Sequence, residues 1–159
     1  MHAVATRARP PLAFWNGTAT DLAVAASEEH DGHMLARAVN HVSFPIRDLE
    51  RSLAFYRDFL GLETIERPNF GFGGAWLGAG NAQIHLIVTP DGMEVDRPPP
   101  SLTPIASHLA FTIDDYAATL ARARAHGLEV LETSPSAGQM WVRDPDGHVI
   151  ELIAANARR

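Results

Sequence analysis

The chain contains an internal repeat, and this repeat limits the fold more than any other feature of the sequence. Asn40-His41-Val42-Ser43-Phe44 reappears as Ser107-His108-Leu109-Ala110-Phe111, 67 residues later. After a one-residue slip, an offset of 66 relates Gln83–Ile87 to Val149–Ile153. Between the copies, Pro98-Pro99-Pro100 forbids regular structure and is typical of a linker. The sequence therefore predicts two tandem modules of the same architecture.

Each copy is predicted to form a strand, a helix and three short strands. Val42, Phe44 and Ile46 alternate with polar residues, as on a half-buried strand, and Asp48 is a plausible N-cap for the helix that follows. The second copy has its aspartate cap at Asp114 or Asp115. The fold class is therefore α+β, with tandem βαβββ modules forming a curled mixed sheet that carries its helices on the outer face. The predicted organisation is an N-terminal extension at 1–36 and a single domain at 37–156. Within it, module 1 covers 37–89, the linker 90–105 and module 2 106–156.

Composition excludes several kinds of chemistry. All 13 basic residues are arginine and no cysteine is present, so Schiff-base lysines, thiolate nucleophiles and cysteine-bound metals are absent. A formal net charge of −6 argues against nucleic acid as a partner, and no apolar run reaches the length of a membrane span. The first residues hold no continuous apolar segment of a secretory signal. We therefore expect a cytoplasmic protein that acts on a small molecule by metal or acid–base chemistry.

Four strong metal-binding side chains fall on one face of the predicted strands. Strand parity directs His41, His85 and His108 away from the helices, and the same holds for Glu151. Their spacings agree between the copies, with 44 residues from His41 to His85 and 43 from His108 to Glu151. Three imidazoles and one carboxylate suit Zn, Ni, Co, Fe or Mn. The sequence predicts one divalent metal per site, and leaves open whether its ligands come from one chain or are shared across a dimer.

Two arginines and several apolar residues could contact a substrate near the predicted metal. Arg67 and Arg143 flank the strands and could bind a carboxylate or phosphate. Five apolar residues could either line a cup beside the metal or belong to the core, namely Phe70, Phe72, Trp76, Met140 and Trp141. His148 has no counterpart in the other copy and lies next to a turn, so we expect it to be exposed.

These motifs resemble the vicinal oxygen chelate superfamily, which includes glyoxalase I, methylmalonyl-CoA epimerase, fosfomycin-modifying thiol transferases, extradiol dioxygenases and bleomycin-resistance proteins. The resemblance rests on the two histidine strands quoted above, on Phe55-Tyr56 with Leu60-Gly61-Leu62, and on the segment Asp144–Leu152. It implies that His41, His108 and Glu151 are metal ligands. His85 stands where glyoxalase I-like enzymes have glutamate and the epimerases have glutamine, so the reaction type cannot be copied from either.

Three functions fit this resemblance. The leading hypothesis is a homodimeric, metal-dependent lyase or isomerase of glyoxalase type that chelates neighbouring substrate oxygens and forms an enediolate-type intermediate, with Glu151 as catalytic base. The second is an Fe(II) dioxygenase of extradiol type, in which His41, His108 and Glu151 form a facial triad and His85 acts beside it. The third is a protein that binds a metabolite or antibiotic and confers resistance.

Overall fold

A computed structural model describes residues 36–95 and 97–157, so nearly all of the predicted N-terminal extension lies outside the described residues. This part of the chain contains eight strands and two α-helices, and in each module one strand precedes the helix and three follow it. In module 1 the elements are β1 (His41–Ile46), α1 (Leu49–Leu53), β2 (Glu63–Ile65), β3 (Gly74–Ala79) and β4 (Ala82–Val88). In module 2 they are β5 (His108–Ile113), α2 (Tyr116–Ala125), β6 (Val130–Glu132), β7 (Gln139–Arg143) and β8 (Val149–Ala154).

The strands form two mixed sheets of identical topology. Their order is β1-β4-β3-β2 in one sheet and β5-β8-β7-β6 in the other. The first strand of each module pairs parallel with its last strand, and the remaining pairs are antiparallel. The α+β class and the tandem βαβββ architecture are therefore confirmed, and the backbone hydrogen bonds divide the curled sheet into two halves of four strands.

The helix of module 1 begins as predicted and then changes its winding. The Asp48 side chain accepts a hydrogen bond from the backbone N–H of Arg51 at 2.9 Å and caps α1. From Ala54 to Phe59 the chain continues as a π-helix, in which the Leu60 N–H donates to the Phe55 carbonyl. This wider turn is a local insertion that hydrophobic periodicity does not reveal. In module 2, Asp115 is the cap of α2, because its carboxylate accepts from the Ala118 N–H.

The core lies between the sheets and the helices. Leu77, Ile84 and Leu86 are buried in module 1, and Val142, Ile150 and Leu152 are buried in module 2. Burying each such side chain contributes about 1.5–3 kcal/mol. Met140 belongs to this core, because it is opposite Leu152 on the neighbouring strand and is fully buried. Of the two alternatives for Met140, the cup and the core, the structure therefore supports the core.

The residues Asp144–Gly147, here called the bridging turn, connect module 2 to the helix of module 1. The buried Tyr56 hydroxyl donates to Asp144 Oδ2 at 2.8 Å. Asp146 accepts from the Arg47 backbone N–H at 3.0 Å and from the Ser52 hydroxyl at 3.2 Å. Burial raises the pKa of Asp144 above its usual value. The two modules therefore share polar contacts as well as apolar packing.

His148 is buried, which corrects the expectation that it is exposed. Only 7% of the residue is accessible, and its ring lies 4.9 Å from the ring of Phe44. Its Nε2 is 2.8 Å from the Pro45 carbonyl oxygen, a partner 103 residues away in the sequence. His148 is buried because it contacts β1, which is distant in the sequence. Its position next to a turn does not predict this contact. No helix in the described part of the chain combines the length and the hydropathy needed to cross a bilayer.

Candidate metal centre

The four predicted ligands form two pairs, one on each sheet. On β1 and β4, His41 is opposite Gln83, and His85 follows two residues further along β4. On β5 and β8, His108 is opposite Val149, and Glu151 follows two residues further along β8. The two pairs therefore occupy the same diagonal across equivalent parallel strands. His85 and Glu151 are both buried, with 8% and 6% of each residue accessible.

In module 2 the pair is held by hydrogen bonds. Glu151 Oε2 lies 3.0 Å from His108 Nε2, and Glu151 Oε1 accepts from the side-chain amide of Gln139 at 2.9 Å. His108 Nδ1 is 2.7 Å from the Ala106 carbonyl oxygen. Each ring nitrogen and each carboxylate oxygen of the pair thus has a defined partner.

The contacts of His108 require a proton or a metal ion between its ring and Glu151. A carbonyl oxygen only accepts, so Nδ1 must carry a proton in order to donate to Ala106. In the neutral imidazole, Nε2 then holds a lone pair that faces an ionised carboxylate at 3.0 Å. Only a proton or a metal ion makes this approach favourable. Two ligands at about 2.0–2.1 Å from one ion and at right angles stand about 2.9 Å apart, so the spacing fits a shared metal.

In module 1 the pair is stacked. The ring centroids of His41 and His85 are 4.2 Å apart, with 11° between the planes. His41 Nδ1 lies 2.8 Å from Asn40 Oδ1, so donation there leaves Nε2 with a lone pair, as in a metal-binding histidine. His85 Nε2 is instead 2.9 Å from Gln83 Oε1. Burial, and then the neighbouring charges of His41 and Arg67, lower the pKa of His85.

Stacking keeps the two module 1 rings from converging on one ion. The lone pair of an imidazole nitrogen lies in the ring plane, so nearly parallel rings direct their lone pairs side by side. His85 would have to turn and release Gln83 before its Nε2 could join His41 on a metal. The donor chemistry of both pairs suits a divalent ion, whereas the observed geometry suits it only at His108 and Glu151.

A single chain does not bring the two pairs together. Within residues 36–95 and 97–157, no group of three or more histidine or carboxylate side chains is close enough to hold one metal ion. Each sheet therefore carries two donors of a four-donor set.

Two of the four predicted substrate residues border the module 1 pair. The Trp76 indole stacks on His85 with a centroid distance of 4.2 Å and an interplanar angle of 7°. Arg67 lies beside Phe70 and Phe72, with its guanidinium carbon 5.1 and 5.0 Å from their ring centroids. A cavity of about 240 Å³ is lined by all four of these residues and by His41 and His85.

Trp141 and Arg143 lie on the face of the module 2 sheet that carries Glu151. Trp141 is opposite Glu151 across β7 and β8, as Trp76 is opposite His85 in module 1. Arg143 Nε stands 3.3 Å from Glu129 Oε2, so this guanidinium already has a carboxylate partner. The Trp141 indole nitrogen is buried and has no hydrogen-bond acceptor among the described residues. Only one of these two residues, Trp141, is adjacent to a candidate ligand by strand pairing.

Three residues that hold the candidate ligands were missed in the sequence. They are the side-chain amides of Asn40, Gln83 and Gln139, which bond to His41, His85 and Glu151. Two of them could have been found, because Asn40 precedes its histidine directly and Gln83 shares a face with His85 two residues on. Gln139 lies 12 residues from Glu151, and only the β7–β8 pairing brings them together.

The comparison with known families gives a clear match. Residues 38–152 match the model described as the glyoxalase/bleomycin resistance protein/dioxygenase superfamily. "Glyoxylase I 4" of Arabidopsis thaliana is 28% identical over 121 residues, which cover 72% of this chain and 69% of that protein. "Lactoylglutathione lyase" of Salmonella typhimurium is 33% identical over 127 residues, covering 72% of this chain and 90% of the relative.

A relative with another activity and one solved structure extend the comparison. "Glutathione transferase FosA" of Serratia marcescens is 29% identical over 121 residues, covering 74% of this chain and 81% of the relative. A crystal structure of a putative glyoxalase family protein from Bacillus anthracis superposes with a TM-score of 0.62 at 24% identity. That match covers 77% of this chain and 98% of the other, and it supports the fold alone.

Proposed function

Because this chain belongs to the glyoxalase/bleomycin resistance protein/dioxygenase superfamily, we propose that it is a metal-dependent lyase or isomerase of glyoxalase type. Its substrate is a small molecule with two neighbouring oxygens. The observation that carries this proposal is the contact between His108 and Glu151, whose 3.0 Å spacing suits a metal ion shared by the two side chains. His41 and His85, on the equivalent diagonal of the other sheet, complete the proposed ligand set.

The proposed centre is shared between two copies of the chain. One chain holds the donors as separate pairs, and the first strands of both modules leave residues of the donor face exposed, including Ser43, Ala110 and Thr112. A homodimer in which module 1 of one subunit faces module 2 of the other supplies all four donors to each of two equivalent sites. A divalent cation held there would supply Lewis-acid polarisation of the two substrate oxygens.

In this proposal Glu151 also moves the proton. Its Oε1 is oriented by Gln139 and its Oε2 lies against His108, so the carboxylate is fixed on the face where substrate would bind. A carboxylate in this position can accept the proton of the carbon that bears one substrate oxygen and lies next to the carbonyl, and can return it to the former carbonyl carbon, which bears the other oxygen. Gln139 would keep the carboxylate aligned during both transfers.

A second candidate function is a dioxygenase of extradiol type, and the geometry of His85 favours it. His85 Nε2 is occupied by Gln83, and both faces of its ring are covered by Trp76 and His41. If His85 stays outside the ligand set, His41, His108 and Glu151 remain as two histidines and one carboxylate. That triad is typical of non-haem Fe(II) oxygenases.

Metal analysis and two activity screens test these proposals. Protein purified without added metal is analysed for Zn, Ni, Co, Fe and Mn, and is then assayed for conversion of 2-oxoaldehyde adducts and for oxygen consumption with catechols. Metal retained with adduct conversion supports the lyase or isomerase. Iron with oxygen consumption supports the dioxygenase. Absence of any metal, even after incubation with each ion, would contradict both and favour a ligand-binding protein.

A further inference from the structure

We infer that the substrate is a monoanion with an apolar, preferably aromatic, body, whose charged group binds Arg67 beside the His41–His85 pair. This inference rests on the proposed function and names the substrate class of the same site. The binding surface, here called the aromatic cleft, is the cavity beside the His41–His85 pair, and its other lining residues on the described part of the chain are Ser43, Arg67, Phe70, Phe72, Trp76 and Ile87.

The aromatic cleft has a continuous wall of rings. Phe70 lies 5.7 Å from Phe72 and 5.8 Å from Trp76, between ring centroids, and Trp76 continues the series onto His85. Phe70 and Phe72 are 48% and 49% accessible, so nearly half of each residue is exposed to water. Gly71 has φ of +75° between them, a conformation that glycine adopts without strain. An apolar ligand would gain about 25 cal/mol for each Å² of this surface that it covers.

The Arg67 guanidinium is held within this wall and has N–H donors that are not used by the protein. One of its terminal nitrogens donates to the Phe72 carbonyl at 3.0 Å and the other to the Pro68 carbonyl at 3.5 Å, and its guanidinium carbon lies about 5 Å from both phenylalanine rings. No carboxylate of the described residues lies within ion-pair distance of it. A guanidinium carries five N–H donors, which leaves several for a bidentate contact with a carboxylate. A charged group that is half-buried and without a counter-charge is a receptor for an anion.

The cleft continues into a second apolar cavity. Ser43, Phe72 and Ile87 border both, and the second cavity has a volume of about 470 Å³. Its other lining residues include Val88, Met93 and Val95, of which Met93 and Val95 are about half exposed. The substrate body can therefore extend past the histidine pair along β4 without meeting a charged group.

The charges of the two cavities argue against a glutathione-type ligand. Histidines apart, Arg67 is the only ionisable side chain among the described residues that line them, and no aspartate or glutamate is present. A glutathionyl group carries an ammonium and two carboxylates, so its ammonium would have no counter-charge among the residues that module 1 supplies. One cation in an apolar cleft selects one anionic group on an apolar body.

Binding of a matched pair of probes to the metal-free, full-length protein tests this inference. The probes are 4-phenylbutyrate and its neutral amide, and the readout is the NMR resonance of the Trp76 indole N–H, assigned by its loss in Trp76→Phe. We expect the carboxylate to bind about 10-fold more tightly than the amide. Arg67→Gln should abolish this preference and leave amide binding within about two-fold, which also shows that the cleft is still folded. Arg67→Lys should keep part of the preference.

Arg57→Gln is the control, since Arg57 is half-exposed and paired with Asp58 on the helix. It should leave the preference for the carboxylate unchanged. Equal binding of the two probes, a preference that survives Arg67→Gln, or tighter binding of S-hexylglutathione would overturn the inference. Because the protein carries no metal in this experiment, failure of the metal proposal would be seen separately, in the metal analysis alone.

Discussion

The indole of Trp76 covers one face of the His85 imidazole, with the two planes inclined by only 7°. His41 covers the other face, so His85 is accessible through its ring edge alone. Trp76 thus contributes to the burial that lowers the pKa of His85. The stack gives the aromatic cleft a flat floor that ends at the candidate metal ligands.

Removing the indole should change the titration of His85. In Trp76→Ala, water regains one face of the ring, so the pKa of His85 should rise towards its usual value of 6.5. Trp76→Phe should produce a smaller rise, because a ring still covers the imidazole. Histidine NMR titration of the metal-free protein measures both variants. An unchanged pKa in Trp76→Ala would show that the burial comes from other neighbours.

Glu151 should affect turnover more than metal binding. Glu151→Gln keeps an oxygen that can bind the ion but cannot accept a proton at neutral pH, so activity should fall by about 10²-fold or more. Metal affinity, measured by calorimetry, should fall less. Glu129→Gln is the matched control, since Glu129 is exposed and paired with Arg143. Equal losses of activity and affinity would reduce Glu151 to a plain ligand.

His85 separates the two enzymatic proposals. If His85 turns to bind the metal, His85→Ala should lower metal affinity by about 10-fold or more, equivalent to about 1.4 kcal/mol. His126→Ala provides the comparison, because His126 is exposed and packs against Phe59 away from the site. Unchanged affinity together with loss of oxygen-dependent turnover would reverse the ranking in favour of the dioxygenase.

If the metal centre is shared between two chains, mixing two variants that each lack a complete site should restore part of the metal binding. Neither His41→Ala nor Glu151→Ala alone should form a wild-type site, because each lacks one of the four donors. After the two are unfolded together and refolded, half of the dimers contain one of each chain, and each of these has one intact site. About a quarter of all sites should then bind metal as the wild type does. No recovery in confirmed mixed dimers would mean that each centre is built within one chain.

The bridging turn should make stability sensitive to alkali. Burial, and then the negative charge of Asp144, raise the pKa of Tyr56 well above its usual value of 10.0. The unfolded chain loses this proton first, so stability that is complete below pH 10 should fall by up to about 1.4 kcal/mol per pH unit above it. The chain has no lysine, so few other groups titrate in this range.

Tyr56→Phe isolates this effect. The variant should be less stable near neutral pH by about 1–3 kcal/mol, because Asp144 loses a buried hydrogen bond. Between pH 10 and pH 11.5 its stability should fall less than that of the wild type, so the gap should narrow. Tyr116 titrates in both proteins and cancels in the difference. Urea denaturation at each pH measures the gap, and a constant gap would contradict the shift of Tyr56.

Regular patterns in the sequence predicted the fold, because they are local. The two-residue period of β1 and the aspartate caps of both helices depend on neighbours in the chain, and the repeat transfers each assignment to the other module. Strand parity likewise predicted the face of His85 and Glu151. Parity does not give distances between sheets, so the separation of the two donor pairs could not be predicted. His148 was misjudged for the same reason, since its partner on β1 is 103 residues away.

The bridging turn also sets the order in which a nascent chain can fold. The acceptor of the Tyr56 hydroxyl is 88 residues further along the chain. At about 5–20 residues per second, the ribosome needs on the order of 4–18 s to synthesise that interval. Once Val88, the last residue of β4, has been synthesised, module 1 has its helix and all four strands but still lacks the carboxylates that anchor them. Slow translation of the segment between the modules therefore lengthens the time for which the incompletely folded module 1 is exposed to chaperones and proteases.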